Sequence, residues 1–376
     1  MKTKESLSQE EINRYSRHLI LPEVGLQGQL KLLNSKVLIV GTGALGSPAI
    51  LYLAAAGIGT IGVVDFDVVD FSNLQRQIIH KTCDVGNLKI SSAKNSINAI
   101  NPNINVITYN ERLTSKNALD IIKDFDVVVD GTDNFPARYL INDACVFLNK
   151  PFVYGAIFRF EGQVSVFNYE DGPCYRCIFP NPPKANMVLS CSEAGVLGVL
   201  PGIIGTIQAT ETIKILLNKG EVLKARLLTL NALKISFKEL KFNKDSNCFV
   251  CSNNATIKEL IDYEEFCGLK NLESKIEINE LNIDEFKKLQ EKESLELIDI
   301  RPKDDFNRSN ITNSKNIPFE TLEQNISSID NSKKVVLICT IGLKSKEAIS
   351  KLHLLGLKAD FYSLQGGFTT WQNSLK

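Results

Sequence analysis

The chain has 376 residues and carries 43 basic and 43 acidic side chains, so its length predicts two to three domains and its formal net charge is zero. The balanced charge argues against a nucleic-acid binder, and no apolar run reaches the roughly 20 residues of a membrane span or resembles a signal peptide. Because nine cysteines occur without an export signal, we expect a cytoplasmic protein whose cysteines serve metal binding or thiol chemistry rather than disulfides.

The first 250 or so residues alternate short apolar strands with helices. Strands are predicted at 36–40, 60–65, 105–109 and 126–130, and helices up to residue 56, over 89–100 and over 115–122. Fully apolar strands separated by helices are typical of a doubly wound parallel sheet. We therefore predict an α/β class and a Rossmann-like fold.

The pattern changes after residue 151. Residues 159–169 alternate apolar and polar side chains, as an antiparallel strand with one exposed face does. An irregular stretch, 170–198, then leads to an apolar helix near 201–218 and two short strands within 226–242. These elements predict an antiparallel extension of the parallel sheet.

A second alternation follows a polar, lightly helical stretch. Helices are predicted at 282–290 and 344–355, and strands at 295–299, 335–339 and 359–363. We interpret the chain as a first domain over 1–252, a linker over 253–276 and a small α/β domain over 277–376.

A glycine-rich motif, Gly-Thr-Gly-Ala-Leu-Gly, joins the first strand of the alternation to its helix. Gly41, Gly43, Ala44 and Gly46 of this motif would let the backbone approach a phosphate at the positive end of the helix. Asp65 ends the next strand, where an acid can accept hydrogen bonds from ribose hydroxyls. The motif predicts a nucleotide site and leaves nicotinamide, flavin and ATP open; a turn without a ligand is the alternative.

Charged and polar residues near this motif favour a triphosphate. Asn73 and Arg76 lie just past the second strand and Lys89 opens the next helix; a triphosphate needs such cations together with Mg²⁺. Asp133 and Asn134 follow the strand that ends at residue 130, at the sheet edge where ligands bind and where a carboxylate suits Mg²⁺. The alternatives are solvated surface charges and, for Asp133, a helix N-cap.

Two Cys-x-x-Cys pairs, Cys174/Cys177 and Cys248/Cys251, supply four thiolates for a tetrahedral Zn²⁺. The pairs are far apart in the sequence, so the fold must bring them together. One pair alone could be redox-active, whereas two pairs favour a structural zinc site.

Taken together, the first 252 residues resemble the ubiquitin-activating-like adenylyltransferases of sulfur-carrier proteins, of the molybdopterin-synthase and thiamine type. The resemblance rests on RYSRHLILPEVGLQGQ, GTGALG, NLQRQ, VGNLK, TDN, CYRC, CSEAGV and CFVC, which occur in that order. It implies that the protein uses ATP and Mg²⁺ to adenylate the C-terminal glycine of a ubiquitin-like carrier. The small subunit of molybdopterin synthase is the first candidate for this carrier.

The resemblance also implies residue roles. Asp65 would hold the ribose, Arg76 and Lys89 the phosphates, and Asp133 the Mg²⁺. Arg17 would reach a phosphate in the neighbouring subunit of a homodimer, and the four paired cysteines would hold zinc.

Two positions of this resemblance need separate comment. Cys191, in the irregular stretch, has a family counterpart that can bond to the carrier; a dispensable thiol is the alternative. Ala44 stands where the family often has glycine, which is a small change.

In the second domain, Cys339 opens a loop, CTIGLKS, between a buried strand and a helix. Such a loop directs N–H groups at the sulfur, and the helix dipole favours a thiolate. With IDIRPKDDF, NIPF and LQGGFTTW, this part resembles a rhodanese domain, which implies a persulfide on Cys339. Thiosulfate or a cysteine-desulfurase persulfide would supply the sulfur. Lys344 replaces the usual arginine and Asn310 a frequent histidine, which leaves the donor open, and a buried structural cysteine is the alternative.

The sequence thus predicts an adenylyltransferase fused to a rhodanese. ATP would activate the carrier carboxylate, the Cys339 persulfide would attack the adenylate, and Cys191 would resolve the product to a thiocarboxylate. The alternatives are a thiamine or tRNA-thiolation carrier, an activator of conjugation, a nucleotide-dependent oxidoreductase and a scaffold with an inactive rhodanese. The fused second domain favours sulfur transfer.

Overall fold

The computed structural model describes residues 4–183, 195–268 and 278–374. The chain divides into two compact units, Met1–Cys267 (unit 1) and Gly268–Lys376 (unit 2). Both units consist of helices around a sheet, as predicted for the two α/β domains. Within the described ranges, none of the helices combines the length and the apolar content that crossing a bilayer requires.

The strands of unit 1 are β1 Lys36–Val40, β2 Thr60–Val64, β3 Asn105–Tyr109, β4 Val127–Asp130, β5 Phe152–Phe158, β6 Glu161–Phe167, β7 Arg226–Asn231 and β8 Ser236–Lys241. Among the described residues they form one sheet in the order β3-β2-β1-β4-β5-β6-β7-β8. The first five strands are parallel, and β6 to β8 are antiparallel. The parallel sheet and its antiparallel extension confirm the predicted fold class.

Helices cover both faces of this sheet. They are α1 Gln9–Arg14, α2 Ser16–Leu19, α3 Gly25–Asn34, α4 Gly46–Ala56, α5 Lys89–Ile100, α6 Ala118–Ile122, α7 Phe135–Phe147, α8 Leu200–Leu217 and α9 Tyr263–Phe266. Successive side chains of β1 point to opposite faces, so Val37 and Ile39 pack in one apolar layer and Leu38 and Val40 in the other. Because the strand is buried on both sides, its sequence is uniformly apolar.

One predicted strand of unit 1 is wrong in detail. Residues 159–169 are not one strand, because Arg159 has φ 54° and lies in the turn between β5 and β6. The sequence analysis missed β5, whose residues FVYGAIF are nearly all apolar and show no alternation. A strand buried on both faces lacks the period-two pattern by which a half-exposed strand is recognised.

The segment interpreted as a linker, 253–276, belongs in part to unit 1. Tyr263 and Cys267 are buried and pack into the second apolar layer, and Asp262 caps α9 by accepting hydrogen bonds from two backbone N–H groups. Residues 269–277 lie outside the described ranges. The compact part of unit 1 therefore extends to Cys267, beyond the residue 252 expected from the motifs.

The strands of unit 2 are β9 Asn279–Leu281, β10 Leu295–Asp299, β11 Lys315–Asn316, β12 Lys334–Ile338 and β13 Phe361–Leu364. In the part of the chain that the structure describes they form a parallel sheet in the order β11-β10-β12-β13-β9. Its helices there include α10 Ile283–Lys292, α11 Lys303–Arg308, α12 Leu343–Leu354 and α13 Gly367–Asn373. The central strand β12 ends one residue before Cys339, which places that cysteine at the carboxyl edge of the sheet.

Candidate functional site

The glycine-rich loop connects β1 to α4 at the carboxyl edge of the unit 1 sheet. Gly41 has φ 92°, and a β-carbon there would lie 2.8 Å from the carbonyl oxygen of Gly131. A β-carbon at Gly46 would collide with the carbonyl oxygen of Gly41, whereas one at Gly43 would be no closer than 3.7 Å to its nearest neighbour, Nε2 of Gln77. Gly41 and Gly46 thus permit tight backbone packing, whereas a β-carbon at Gly43 would make only ordinary van der Waals contacts; without it, a ligand can approach the backbone closely.

Asp65, at the end of β2, holds this loop in place. Its Oδ2 accepts hydrogen bonds from the N–H and the hydroxyl of Thr42 at 2.8 and 2.7 Å, and its Oδ1 accepts from the N–H of Asp67 at 2.9 Å. The side chain is buried. Oδ1 retains one free acceptor site, so the predicted ribose contact is compatible with this supporting role.

The predicted phosphate-binding cations lie in the segment after β2. Lys89 opens α5, is buried, and its Nζ lies 2.8 Å from Oδ2 of the half-exposed Asp67. Arg76 donates to a backbone carbonyl of its own turn at 3.0 Å, and Oδ1 of Asn73 accepts a hydrogen bond from the N–H of Asp70, the N-cap of that turn, at 3.2 Å. A buried ammonium with one half-exposed partner can exchange that partner for a phosphate.

The structure separates the roles of Asp133 and Asn134. Asn134 is the N-cap of α7, because its Oδ1 accepts a hydrogen bond from the N–H of Ala137 at 3.0 Å. The alternative of Asp133 as this cap is therefore wrong. Asp133 is exposed, and within the described ranges it makes no hydrogen bond or ion pair, so its carboxylate is available to a cation such as Mg²⁺.

A buried ion pair, which the sequence analysis missed, supports the turn that carries Asp133. Asp130 accepts from the N–H and hydroxyl of Thr132 at 2.9 and 2.6 Å and from Nε of Arg138 at 3.1 Å. The guanidinium of Arg138 stacks on the ring of Tyr154 at 5.1 Å. Burial raises the pKa of Tyr154, so the ring remains a neutral phenol.

Two further side chains of the site, Gln77 and His80, were also missed. Both are buried, and among the residues that the structure describes, Oε1 of Gln77 and Nε2 of His80 meet no hydrogen-bond partner. Burial, and then the charge of Lys89, lower the pKa of His80. Buried polar atoms without partners are uncommon, and their position near the glycine loop fits a polar ligand such as a nucleotide.

Two predicted residues are not brought to this site. Arg17 lies exposed on α2, and no described contact connects it to the glycine loop. Cys191 lies outside the described residues.

The two cysteine pairs meet although 74 residues separate their partners. The Sγ atoms of Cys174 and Cys248 are 3.5 Å apart, those of Cys177 and Cys251 are 3.5 Å apart, and all four lie within 4.8 Å of one another. A tetrahedral zinc with sulfur bonds of about 2.3 Å requires sulfur separations of about 3.8 Å. The four thiols fit such an ion.

Arg176, between the cysteines of the first pair, anchors this cluster to the core. Its Nε and Nη2 donate to the two carboxylate oxygens of Asp143, each at 2.8 Å, and the hydroxyl of Tyr263 donates to the same carboxylate at 2.8 Å. The ring of Phe266 lies 4.4 Å from the guanidinium carbon. The cysteine cluster and helix α9 are therefore joined by one buried, charge-assisted network.

In unit 2, Cys339 lies between β12 and α12 with its thiol almost fully buried. Its Sγ accepts a hydrogen bond from the N–H of Gly342 at 3.1 Å and lies 3.5 Å from Oγ of Ser345, which in turn lies 2.8 Å from Oγ of Ser363. Gly342 has φ 86° and is the N-cap of α12. The loop thus presents N–H and O–H donors to the sulfur, which stabilise a thiolate or persulfide.

Of the two departures from the rhodanese pattern, Lys344 lies in this loop and Asn310 lies between α11 and β11. Lys344 is exposed, and its Nζ lies 5.6 Å from the ring centroid of Phe319. Asn310 donates to the backbone carbonyl of Phe306 at 3.1 Å. Among the described residues, neither side chain forms a hydrogen bond or an ion pair with Cys339, which is consistent with leaving the donor open.

Comparisons with known proteins find relatives of both units. Residues 15–250 match the ThiF family and residues 282–374 match the rhodanese-like domain. The chain is 41% identical to the "Adenylyltransferase and sulfurtransferase MOCS3" of Aedes aegypti, over 98% of this chain and 88% of that protein. It is 43% identical to the "Probable adenylyltransferase/sulfurtransferase MoeZ" of Mycobacterium tuberculosis, over 99% of this chain and 95% of that protein.

Two further similarities cover unit 1. The "Sulfur carrier protein adenylyltransferase" of Thermus thermophilus is 50% identical over 70% of this chain and 99% of its own length. The crystal structure of E. coli MccB with ATP superimposes with a TM-score of 0.57 at 24% identity, over 64% of this chain and 74% of that chain. The second similarity shows a shared fold.

Proposed function

This chain belongs to the ThiF family and carries a rhodanese-like domain, and from this premise we propose that it adenylates a ubiquitin-like sulfur-carrier protein and converts its C-terminal glycine to a thiocarboxylate. The observation that carries the proposal is the presence in one chain of a nucleotide site at a sheet edge and of Cys339 in a loop of N–H donors. Its relatives are named for both activities, adenylyltransferase and sulfurtransferase.

In the adenylation step, the carrier carboxylate attacks the α-phosphate of ATP and pyrophosphate leaves. We assign the glycine loop, Arg76 and Lys89 to the phosphates and Asp65 to the ribose. Asn73 and Asn134 line the same edge. Asp133 would hold Mg²⁺, which would offset the charge of the phosphate oxygens.

Arg17 has a role in this proposal only in a homodimer. It lies exposed on α2 and makes no described contact with the glycine loop of its own chain. We propose that it reaches a phosphate bound to a second copy, where an additional guanidinium would stabilise the charge that develops on the leaving pyrophosphate.

Sulfur transfer begins at Cys339. The Cys339 thiolate takes a sulfur atom from thiosulfate and releases sulfite, or takes it from the persulfide of a cysteine desulfurase. The resulting persulfide attacks the acyl carbon, AMP leaves, and an acyl disulfide forms. Cys191 then attacks Sγ of Cys339, the thiocarboxylate leaves with the electron pair, and a Cys191–Cys339 disulfide remains. A thiol reductant supplies two electrons to regenerate both cysteines.

We propose that Cys174, Cys177, Cys248 and Cys251 bind one zinc ion. All four side chains are thiols at tetrahedral separations, which leaves no open position for a substrate. The ion would therefore stabilise the fold of unit 1.

For the carrier, we propose the small subunit of molybdopterin synthase; thiamine and tRNA-thiolation carriers are the alternatives that the test includes. A cytoplasmic location, where thiols stay reduced, remains a prediction.

The test offers purified candidate carriers to the protein with ATP and either thiosulfate or a cysteine desulfurase with cysteine. We expect carrier-dependent ATP–pyrophosphate exchange, and intact mass spectrometry should show replacement of one carrier oxygen by sulfur. Exchange without any sulfur gain, from either donor and with every carrier, would contradict the sulfur-transfer half of the proposal. Absence of exchange would contradict the adenylation half.

A further inference from the structure

His80 belongs to a short chain of polar groups behind the glycine loop. Its Nδ1 lies 2.9 Å from Oγ of Ser92, and the Ser92 hydroxyl donates to Oδ2 of Asp84 at 2.7 Å. The same carboxylate oxygen accepts from the N–H of Lys81 at 2.8 Å. His80 and Ser92 are buried, so the hydrogen bond between them is shielded from bulk water, whereas the Asp84 end of the series is partly exposed.

The number of protons available to these hydrogen-bonded groups fixes the tautomer of the His80 imidazole. An ionised Asp84 only accepts, so the single hydroxyl proton of Ser92 is committed to it. Oγ of Ser92 must then accept from His80, which places a proton on Nδ1. A neutral His80 consequently has a bare Nε2, and that atom is the one that meets no partner among the described residues.

The charges around His80 oppose one another. Burial and the ammonium of Lys89 disfavour the imidazolium form, whereas Asp65, Asp84 and the backbone of Thr42 favour it. A second proton, on Nε2, would give the imidazole a buried N–H that the neutral form lacks. In the neutral state of His80, Nε2 therefore has neither a proton nor a hydrogen-bond partner among the described residues.

We infer that His80 takes up a proton when ATP binds and becomes an additional cation of the nucleotide site. This inference rests on the proposed function, in which the phosphates lie beside Lys89. Bound phosphates would offset the charge of Lys89 and attract positive charge themselves, so the main electrostatic opposition to the imidazolium would disappear.

The sign of the linkage follows directly. A proton bound more tightly in the ATP complex than in the free protein makes ATP binding tighter as pH falls. Because histidine titrates between about pH 5 and 8, we expect the affinity for ATP to increase severalfold from about pH 8 to about pH 6. In a variant without an ionisable group at this position that increase should be lost.

Isothermal titration calorimetry with ATP and Mg²⁺, without carrier, tests the inference. Binding enthalpies measured at about pH 6.5 in buffers of different ionisation enthalpy give the number of protons taken up. The wild type should take up a larger fraction of a proton than His80→Gln, and the difference removes proton exchange by ATP itself. His353→Gln, in unit 2, is the matched control and should behave as the wild type.

Equal proton uptake by the wild type and His80→Gln, with ATP bound to both, would overturn the inference and leave the proposed function intact. Failure of the wild type to bind ATP would instead overturn the proposed nucleotide site.

A second measurement covers the case in which His80→Gln does not fold. The chain has three histidines, so NMR of ring-labelled histidine in the wild type should give one ring signal for each. With ATP present, one signal should shift its midpoint to higher pH, and Asp84→Asn should reduce that shift. Unchanged midpoints for all three histidines on saturation with ATP would overturn the inference.

Discussion

The nucleotide site of unit 1 and the sulfur site of unit 2 both lie at the carboxyl edge of a parallel sheet, yet they are built differently. The first gathers side chains from the segments after β1, β2 and β4. The second consists mainly of one continuous loop, 339–345, with Ser363 behind it. A site assembled from several segments depends on the packing of the whole unit, whereas a site in one loop depends mainly on its own backbone.

The largest effect should come from the sulfur site, where one atom performs the chemistry. Cys339→Ala should abolish thiosulfate sulfurtransferase activity and thiocarboxylate formation, because no other group in that loop can carry a persulfide. ATP–pyrophosphate exchange should be unchanged, since the residues assigned to it all belong to unit 1. Sulfite release measures the sulfurtransferase activity, the mass of the carrier measures thiocarboxylate formation, and a radiolabel assay measures the exchange.

Two variants serve as comparisons for Cys339→Ala. Cys83→Ala removes an exposed thiol and should change neither activity. Cys191→Ala should retain exchange and lose thiocarboxylate formation only in part, because an external thiol can replace a resolving cysteine. Thiocarboxylate formation at the wild-type rate by Cys339→Ala would show that sulfur enters elsewhere and that unit 2 is a docking module.

In the nucleotide site, Asp133→Ala should slow pyrophosphate exchange by about a hundredfold or more, because metal-ion catalysis contributes several kcal/mol. The thermal unfolding temperature should be unchanged, since Asp133 is exposed and does not cap α7.

The neighbouring Asn134→Ala is the matched variant. It removes the cap and should lower stability by about 1 kcal/mol. Exchange at the wild-type rate by Asp133→Ala would exclude the assigned magnesium role.

The cysteine cluster extends the comparison from activity to folding. We expect one zinc ion per chain, and Cys248→Ser should lower both the zinc content and the thermal stability of unit 1, because structural zinc contributes folding free energy. Metal analysis and calorimetry check this, with Cys83→Ser as the control. Freshly purified protein without zinc, and with the four cysteines reduced, would contradict the metal site.

The network behind that cluster predicts changes in folding stability. Asp143→Ala leaves the buried Arg176 guanidinium without its partner and should cost about 3–5 kcal/mol, whereas Tyr263→Phe removes one hydrogen bond to a charged group and should cost about 1.5 kcal/mol. Denaturant unfolding measures both.

The same network predicts where unit 1 ends. A chain ending at Cys267 should be more stable than one ending at Ser252, because only the longer chain retains Tyr263 and Phe266. Equal stability of the two chains would mean that α9 contributes nothing to unit 1.

Much of the fold could be predicted because its elements have local signatures. β1 and α5 were predicted at their observed bounds, since a buried parallel strand is uniformly apolar and a helix has its own period. β5 was missed although it too is nearly uniformly apolar, because an apolar run without alternation gives no sign of its antiparallel partner. The extent of unit 1 could not be predicted either, since α9 has only four residues, two of them acidic.

By itself, the sequence determined the chemistry whose parts are contiguous: the glycine loop, each cysteine pair and the loop of Cys339. Tertiary structure alone decided which residues support that chemistry. Tyr263 and Asp143 are 120 residues apart and share a hydrogen bond, and Asp65 reaches Thr42 from a different strand. Local sequence specifies backbone conformation and spacing, but contacts between distant segments exist only once burial has brought their strands and helices together.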